Sequence, residues 1–272
     1  MSIKRVIISI ISLCIYIVII SNYGWAGWSG PTDVLSETWG SANNQMGLKP
    51  EDTADSFPEG FWILENIIVV RDQENRRMKI YSISGQLDKI VNWIKLSDGS
   101  FKIPEYPLAG ISVGYVSGNL YTYYSPQNDY GAYSPTGQLI KTMTTRPLEL
   151  GRVKDNIPVD GGYRHIIEYQ DMTYSFVIPW RILNAYQRDM QGNLHVAAQS
   201  KTTDAVYRVS KCGKIIGQMQ MPETVFGPPR IVGIEELPNY VAEYGSAVFG
   251  ADGNLYTWKR TPDTYSILKW TW

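Results

Sequence analysis

The sequence predicts an all-β protein built from repeated hairpins, and three observations support this expectation. A short motif occurs three times in nearly the same form, at residues 118–121, 192–195 and 253–256. After each copy, an apolar segment, a polar stretch and a second apolar segment follow, which is the layout of a β-hairpin. No long segment of the 272 residues keeps the 3.6-residue period of an amphipathic helix. A recurring unit of this kind is typical of repeat architectures.

Each unit contains a hairpin that is flanked by further apolar segments. In the best-defined unit, Ile67–Val70 and Met78–Ile83 form a predicted hairpin, and Leu87–Trp93 follows as another strand. The hairpins predicted in the other units are Leu120–Tyr124 with Tyr130–Tyr133, Leu194–Ala198 with Ala205–Val209, and Leu255–Trp258 with Tyr265–Leu268. Four strands per unit, joined by tight turns rich in Gly, Asn and Asp, indicate the blade of a β-propeller.

The number of blades follows from the length of the domain and the spacing of its units. A propeller blade takes roughly 40 to 50 residues, so residues 27–272 accommodate six blades or, as the alternative, five. The sequence favours six, because the motif copies are too far apart for contiguous blades. One degenerate blade is predicted between them, from Arg164–Glu168 and Tyr174–Ile178.

The two ends of the chain are predicted to meet in one blade. The last unit ends at Trp272 without an outer strand, and Val34–Trp39 near the start has the length and pattern of one. We therefore expect an N-terminal strand to close the ring, which removes free sheet edges. For the same reason, Trp270–Trp272 are expected to be needed for a stable fold.

Residues 1–26 have the features of an export signal. The basic pair Lys4-Arg5 precedes an apolar run at Val6–Ile20, and small residues follow before Gly27. The run spans about 15 residues, which is shorter than the roughly 18 expected of a membrane-spanning helix. The sequence predicts a single domain at residues 27–272, exported to the bacterial periplasm or outside the cell, without membrane insertion after cleavage. An uncleaved N-terminal anchor is the alternative.

The charge of the mature chain is nearly balanced. Without Lys4 and Arg5, 23 basic residues remain against 26 acidic ones, a net charge of −3, and no basic cluster is present. This balance argues against nucleic acid or an anionic membrane as the partner. Cys212 is the one cysteine beyond the leader, so no intramolecular disulfide can form. We expect a monomer.

One unit carries a more specific signature. The residues that form this signature are Pro58, Gly60, Asp72, Asn75, Arg77 and Gly85. Over about 30 residues this spacing resembles an NHL repeat, and the chain is similar to six-bladed NHL-like and TolB-like propellers. The resemblance implies that Asp72 and Arg77 brace the blade through charge-assisted hydrogen bonds. It specifies no activity, because such propellers include binding scaffolds, lyases and lactonases.

The residues of the recurring turns are also interpreted as structural. Asn and Gly both tolerate a positive φ angle in a turn, which gives a backbone reason for their presence before an inner strand. Together with Asn75 and Gly85, the structural set contains Gly118, Asn119, Gly192, Asn193, Gly253 and Asn254.

Residues suited to catalysis or metal binding are few. The chain has two histidines, His165 and His195, which are too few for a three-histidine zinc site, and it lacks a Gly-x-Ser-x-Gly motif. His195 takes the place of Tyr121 and Tyr256 in the sister units, which favours a packing role. We predict no catalytic residue, no metal site and no cofactor. The alternative is calcium in the channel, held by oxygen ligands from Glu65, Asn119, Asn193 and Asn254.

Aromatic residues are the most distinctive feature of the composition, with 19 Tyr and 9 Trp against 6 Phe. Both of the abundant residues are favoured where one side of the ring is buried and the polar edge meets water or a partner. Tyr121 and Tyr123 alternate along one strand, and Trp180 and Tyr186 are predicted in loops. These four residues are therefore candidates for ligand binding, with packing between blades as the alternative.

The sequence favours an exported, non-enzymatic propeller that binds a protein, peptide or glycan through one rim, where loops vary without disturbing the blades. The irregular stretches Asn43–Ser56 and Pro147–Gly162 are the first candidates for that rim. The alternative is a propeller hydrolase or lyase with a channel-bound divalent cation and a carboxylate such as Glu168 or Asp189. A third interpretation is a structural subunit of an envelope assembly.

Overall fold

The computed structural model describes residues 29–47, 60–102, 111–124, 129–189, 191–199, 204–220, 243–261 and 263–272. These residues form an all-β fold in which five sheets, antiparallel except for one short strand pair, are the five blades of a β-propeller. No α-helix occurs among them, and thus no helix long and apolar enough to cross a membrane. The predicted leader at residues 1–26 lies outside the described residues.

Three blades are four-stranded meanders in which strands adjacent in the chain are paired. With strands numbered β1 to β22 along the chain, the first blade contains β3 (Phe61–Ile63), β4 (Ile67–Asp72), β5 (Arg77–Ser82) and β6 (Leu87–Asn92). The second blade contains β9 (Ile111–Val116), β10 (Asn119–Tyr124), β11 (Asp129–Tyr133) and β12 (Leu139–Met143). The fourth blade contains β16 (Ile182–Arg188), β17 (Leu194–Gln199), β18 (Asp204–Val209) and β19 (Ile215–Gln220).

The fifth blade joins both ends of the chain. Its C-terminal part contains β20 (Glu243–Phe249), β21 (Leu255–Arg260) and β22 (Thr264–Thr271). Strand β1 (Ser29–Trp39) pairs antiparallel with β22, and β2 (Gln45–Met46) pairs parallel with β1. The prediction that an N-terminal strand closes the ring is therefore confirmed, although the strand begins at Ser29 rather than at Val34.

The third blade has three strands, β13 (Arg152–Val159), β14 (Gly162–Glu168) and β15 (Thr173–Ile178). Strands β14 and β15 correspond to the degenerate blade that the sequence predicts. The described residues thus form five blades, the alternative to the favoured six. The long segments between motif copies form no sixth blade in the described residues. They contain a small hairpin, β7 (Ile94–Lys95) with β8 (Phe101–Lys102), and a 3₁₀ turn at Leu148–Leu150.

The third blade lacks the inner strand that the other blades have. The turn at Gly85 of the first blade packs directly on the outer strand β1 of the neighbouring fifth blade. The approach is so close that a Cβ atom on Gly85 would lie 1.7 Å from the carbonyl oxygen of Val34. Likewise, a Cβ atom on Gly213 of the fourth blade would lie 2.1 Å from the carbonyl oxygen of Ser175 in β15. Strand β15 is therefore an outer strand too. The inner strands β9 and β16 of the flanking blades contact each other, and the turn Leu148–Leu150 contacts β9 in place of the missing strand.

The prediction that Pro147–Gly162 is irregular was wrong, because this stretch contains β13. Six of the eight residues of β13 are exposed, so the strand has no apolar alternation by which the sequence could reveal it. Pro158 lacks the N–H group that a central strand would need, and Lys154 adds charge, and both features suit an edge strand. Of the other predicted loop, Asn43–Ser56, residues 48–56 lie outside the described residues.

A buried polar cluster connects the first blade to the segment that follows β1. The buried carboxylate of Asp72 accepts hydrogen bonds from Arg77 Nε at 2.7 Å, from Asn75 Nδ2 at 2.9 Å and from the backbone N–H of Gly47 at 2.9 Å. The guanidinium of Arg77 also donates to the backbone carbonyl of Gln45 at 2.6 Å. Asp72 and Arg77 are thus in contact, as the NHL resemblance implies, and the cluster extends beyond the blade itself.

A second buried pair lies beside this cluster. The ammonium of Lys79, in β5, donates to the carboxylate of Glu37, in β1, and the hydroxyl of Tyr81 donates to the other carboxylate oxygen at 2.8 Å. Burial lowers the pKa of Lys79, and the hydrogen bond to Glu37 opposes that shift. We call Glu37, Asp72, Arg77 and Lys79 the clasp, because they join the N-terminal segment to the first blade.

Deletion of residues 270–272 is expected to lower the melting temperature by about 10 °C or more. Trp270 is 1% exposed, its indole donates to Thr257 Oγ1 at 3.0 Å, and its strand pairs with β1. Loss of a buried Trp costs roughly 3–5 kcal/mol, and each kcal/mol shifts the midpoint of a domain of this size by about 2–4 °C. Circular dichroism melts measure the shift. An unchanged midpoint contradicts the closure of the ring through β22.

Lys79→Met alone is expected to destabilise the fold by about 3–5 kcal/mol, because it leaves the buried Glu37 carboxylate without its cation. The double variant Lys79→Met/Glu37→Gln is expected to regain part of that loss, because it removes the uncompensated charge. Urea unfolding measures both free energies.

The control for this pair is Arg152→Gln. The Arg152–Glu168 ion pair is solvent-exposed, with side-chain exposures of 58% and 26%, so its loss is expected to cost less than about 1 kcal/mol. If Lys79→Met costs no more than this control, the clasp contributes nothing to closure.

Candidate functional site

Buried apolar clusters join the blades at four of the five junctions. They connect the fifth blade to the first, the first to the second, the third to the fourth, and the fourth to the fifth. At the junction of the second and third blades, the described residues form no cluster shared by both sheets. There the second blade packs on Leu150 of the 3₁₀ turn. The missing inner strand accounts for this difference, and we call the space between these two blade faces the groove.

The wall of the groove on the second blade is rich in tyrosine. Tyr123 and Tyr130 are cross-strand partners, and their ring centroids are 5.0 Å apart. Tyr121 lies two residues before Tyr123, on the same face of β10, where it is 6% exposed and packs with Leu150. The ammonium of Lys141, in β12, lies 6.0 Å from the centre of the Tyr121 ring. Tyr123 and Tyr130 are partly exposed, whereas Tyr121 forms the floor beneath them.

The wall on the third blade is apolar and basic. Ile157, Arg164 and Val177 form one row across β13, β14 and β15. Phe176 and Ile178 are buried against the fourth blade, so the alternation of the strand directs Val177 and its row toward the second blade. Ile157 is 37% exposed and Val177 is 41% exposed.

Each wall of the groove carries an exposed cation. Lys141 and Arg164 are both exposed, and neither forms an ion pair with a carboxylate in the described part of the chain. Arg152 differs, because its guanidinium donates to Glu168 Oε2 at 2.8 Å. That hydrogen bond lowers the pKa of Glu168. Glu168, a carboxylate considered for catalysis, is therefore already paired with a cation of its own blade.

The other two predicted ligand-binding rings are held by contacts with neighbouring residues. Trp180 is between the third and fourth blades, where its indole donates to the hydroxyl of Tyr207 at 2.5 Å. Tyr186 lies in β16, and its hydroxyl donates to the carbonyl of Gly151 at 3.3 Å, with Arg146 over its ring at 5.4 Å. Burial raises the pKa of Tyr186. The prediction that Tyr186 lies in a loop was wrong, because the polar residues of β16 conceal its strand pattern.

The recurring Gly-Asn turns hold carboxylate clusters that sequence reasoning missed. In the fourth blade, Asp189 accepts hydrogen bonds from the backbone N–H of Asn193 at 2.7 Å and from Arg208 at 2.8 Å, and it lies 3.1 Å from His195 Nε2. Gly192 adopts a φ angle of 78° in this turn. The signal in the sequence was an aspartate shortly before the asparagine.

The fifth blade repeats this arrangement. Asp252 accepts hydrogen bonds from Asn254 Nδ2 at 2.7 Å, from the Tyr256 hydroxyl at 2.9 Å and from Lys269 at 2.9 Å. Tyr256 and Lys269 thus correspond to His195 and Arg208 of the fourth blade. In the second blade Ser117 precedes the turn, and Gly118 has a φ angle of 79° while Asn119 pairs with Val116. The equivalent positions of the repeat therefore brace neighbouring strands in two blades.

A small cleft of about 150 Å³ lies beside the Asp189 cluster and is lined by Gln187, Arg188, Asp189, His195, Phe249 and Gly253. Burial lowers the pKa of His195, which favours the neutral imidazole, although Asp189 opposes the shift. Burial alone would raise the pKa of Asp189, but hydrogen bonds from Asn193, His195 and Arg208 outweigh it and hold the pKa below its ordinary value. The carboxylate of Asp189 is therefore occupied by donors of the protein itself.

The ring of oxygen ligands considered for calcium is not brought together by these contacts. The side-chain amides of Asn193 and Asn254 donate to Asp189 and Asp252, and Glu65 is exposed. Within the described ranges, no group of three or more His, Cys, Asp and Glu residues is placed to hold a metal ion.

Comparison with known proteins gives no family assignment. No family model matches the chain, and no curated protein matches it. Glutaminyl cyclase from Myxococcus xanthus is 11% identical, with a TM-score of 0.37 over 89% of this chain and 97% of that one. A catalytically inactive virginiamycin B lyase from Staphylococcus aureus, solved with quinupristin, is 11% identical, with a TM-score of 0.35 over 89% and 99%. A glucose dehydrogenase is 10% identical, with a TM-score of 0.33 over 89% and 99%. Likenesses at these values carry no argument about activity.

The stability of the protein is expected to fall as the pH is lowered through 6.5 toward 5. Burial lowers the pKa of both histidines, His165 and His195. Below a pH of about 6.5 the unfolded chain binds protons that the folded chain does not, so the free energy of unfolding decreases with falling pH. Urea unfolding at pH 7.5, 6.5 and 5.5 measures this slope.

His195→Tyr is the matched variant, because Tyr256 occupies the corresponding position in the fifth blade. It is expected to reduce the slope between pH 6.5 and 5.5 while leaving the protein folded. A slope that is the same with and without His195 would show that this histidine titrates normally in the folded state.

Proposed function

We propose that this protein is an exported, non-enzymatic β-propeller that binds a protein, peptide or glycan in the groove between its second and third blades. The observation that carries the proposal is the contrast between junctions. Four junctions bury apolar clusters, whereas the junction of the second and third blades exposes tyrosine on one wall and aliphatic side chains on the other. Tyr is enriched in binding interfaces because its ring supplies contact area and its hydroxyl a hydrogen bond.

The polar clusters of the molecule support a binding role over catalysis. Asp72, Asp189 and Asp252 each accept several hydrogen bonds from neighbouring strands, so their carboxylates brace the blades. Groups used in this way are poorly placed to act on a substrate, since a general base needs a lone pair directed at the proton that it removes. The groove, by contrast, partly exposes Tyr123 and Tyr130 on one wall and exposes Ile157 and Val177 on the other.

Tyr123→Ser/Tyr130→Ser is expected to weaken binding at least tenfold. The ligand for this test is whichever partner the wild-type protein selects from an immobilised panel of envelope polysaccharides and peptides. A tenfold change corresponds to about 1.4 kcal/mol, which is within the contribution of one or two aromatic contacts. Biolayer interferometry measures the affinity, and mass spectrometry of the eluted ligand checks that it is chemically unchanged.

The control is Tyr163→Ser, because Tyr163 pairs with Ile178 on the face of the third blade that points away from the groove. It should bind as the wild type does. Equal binding by the groove variant and the wild type would refute the location of the site. A ligand recovered in cleaved form would refute the non-enzymatic role.

A further inference from the structure

We propose that the ligand of the groove is an acidic glycan, a polysaccharide that carries carboxylate groups on its sugars; this inference rests on the binding role proposed above. Two observations carry it independently of each other. One is the charge of the exposed cations on the two walls, and the other is that the tyrosines lie on strands that are paired on both sides.

The charge of the groove is positive on both sides. Lys141 lies over the edge of the tyrosine wall, 6.0 Å from the Tyr121 ring centre, and Arg164 lies in the facing row between Ile157 and Val177. The acidic residues on these faces are Glu168, which is paired with Arg152, and Asp155, and the nearby Lys154 lies 3.9 Å from Glu168. Cations thus outnumber carboxylates, although the chain as a whole is slightly acidic. Such a site attracts an anion by charge complementarity.

The strands that carry the tyrosines are paired on both sides within their own sheet. Strand β10 pairs with β9 and β11, and β11 pairs with β10 and β12, so the strands that carry Tyr121, Tyr123 and Tyr130 offer no free edge. An extended peptide commonly gains its affinity by adding a strand to a free edge, and the outer edge of this sheet is β12, one strand away from Tyr130. The free edge of β13 carries Pro158 and charged residues that blunt pairing. Recognition therefore depends on side-chain faces.

Flat tyrosine faces and flanking cations suit a ring-shaped, hydroxylated and negatively charged ligand. The two partly exposed rings, Tyr123 and Tyr130, have centroids 5.0 Å apart and planes inclined at 43°, so a sugar ring can lie against the face of either one. Their hydroxyl groups can exchange hydrogen bonds with sugar hydroxyls. Lys141 and Arg164 then pair with carboxylates on successive sugars, as charge-assisted hydrogen bonds. No covalent step is involved.

Polygalacturonate is the probe for this proposal, with dextran as the neutral polysaccharide and poly-glutamate as the acidic polypeptide. Affinity electrophoresis at several salt concentrations is expected to retard the wild-type protein in polygalacturonate, but not in dextran, and more weakly or not at all in poly-glutamate. Lys141→Gln/Arg164→Gln is expected to lose at least tenfold in affinity for polygalacturonate. Lys95→Gln/Lys102→Gln, which removes two exposed lysines from the distant β7–β8 hairpin, should not.

The outcomes separate this inference from the proposed function. Equal retardation by polygalacturonate and poly-glutamate would overturn the glycan assignment, because it would show a response to charge alone. No retardation by polygalacturonate would overturn the acidic-glycan proposal outright. If the tyrosine variant loses a panel ligand while the charge variant retains it, the groove remains the binding site and the acidic class of its ligand is wrong.

Discussion

The buried clasp is the constraint on which the rest of the structure depends. A propeller is a ring of sheets, and the ring holds only where its first and last elements are joined. Here Glu37 of the N-terminal strand pairs with Lys79 of the first blade, while Asp72 and Arg77 fix the segment that follows. These charges are nearly excluded from water, so each is stable only while its partner is present. The polar groups therefore specify one arrangement of the chain ends in a way that apolar packing alone would not.

A closed ring lets one junction remain open. The strand pairing of β1 with β22 and the clasp hold the fifth and first blades together. Shared apolar clusters then join the first blade to the second on one side, and the fifth blade to the fourth and the fourth to the third on the other. The second and third blades are then held by the ring without having to bury their facing surfaces. The 3₁₀ turn with Leu150 fills the inner position, and the outer part is left as the groove. The binding surface is thus a consequence of the incomplete third blade.

The sequence predicts the repeating parts of this fold and misses the irregular ones, for a physical reason. Nearly continuous apolar runs at Ile67–Val70 and Leu194–Ala198 indicate strands that are buried on both faces, and Gly118, Gly192 and Gly253 indicate turns with positive φ angles. Strand β13 gives no such signal, because six of its eight residues are exposed. The third blade is predicted from β14 and β15 alone, and the sequence favours six blades because the long spacings that hold the β7–β8 hairpin and the 3₁₀ turn leave room for one more.

The candidate site was foreseen only in part. Alternation places Tyr121 and Tyr123 on one face, which is visible in the sequence, but the partner wall with Arg164 depends on which blade lacks its inner strand. Trp180 and Tyr186 are aromatic for packing reasons that a sequence does not distinguish from exposure. The carboxylates of Asp189 and Asp252 were within reach of sequence reasoning, since both precede a Gly-Asn turn. Their roles nevertheless required the geometry, because their partners lie on other strands.

Hydrogen–deuterium exchange of the intact protein, resolved by peptide mass spectrometry, tests most directly the claim that the ring is closed at the clasp and open at the groove. The account predicts that amides of β4, β5 and β22 exchange slowest, through global unfolding, and that amides on the free edge of β13 exchange orders of magnitude faster. Equal protection of β13 and β5 would contradict the account, because the junction of the second and third blades would then be packed like the other four.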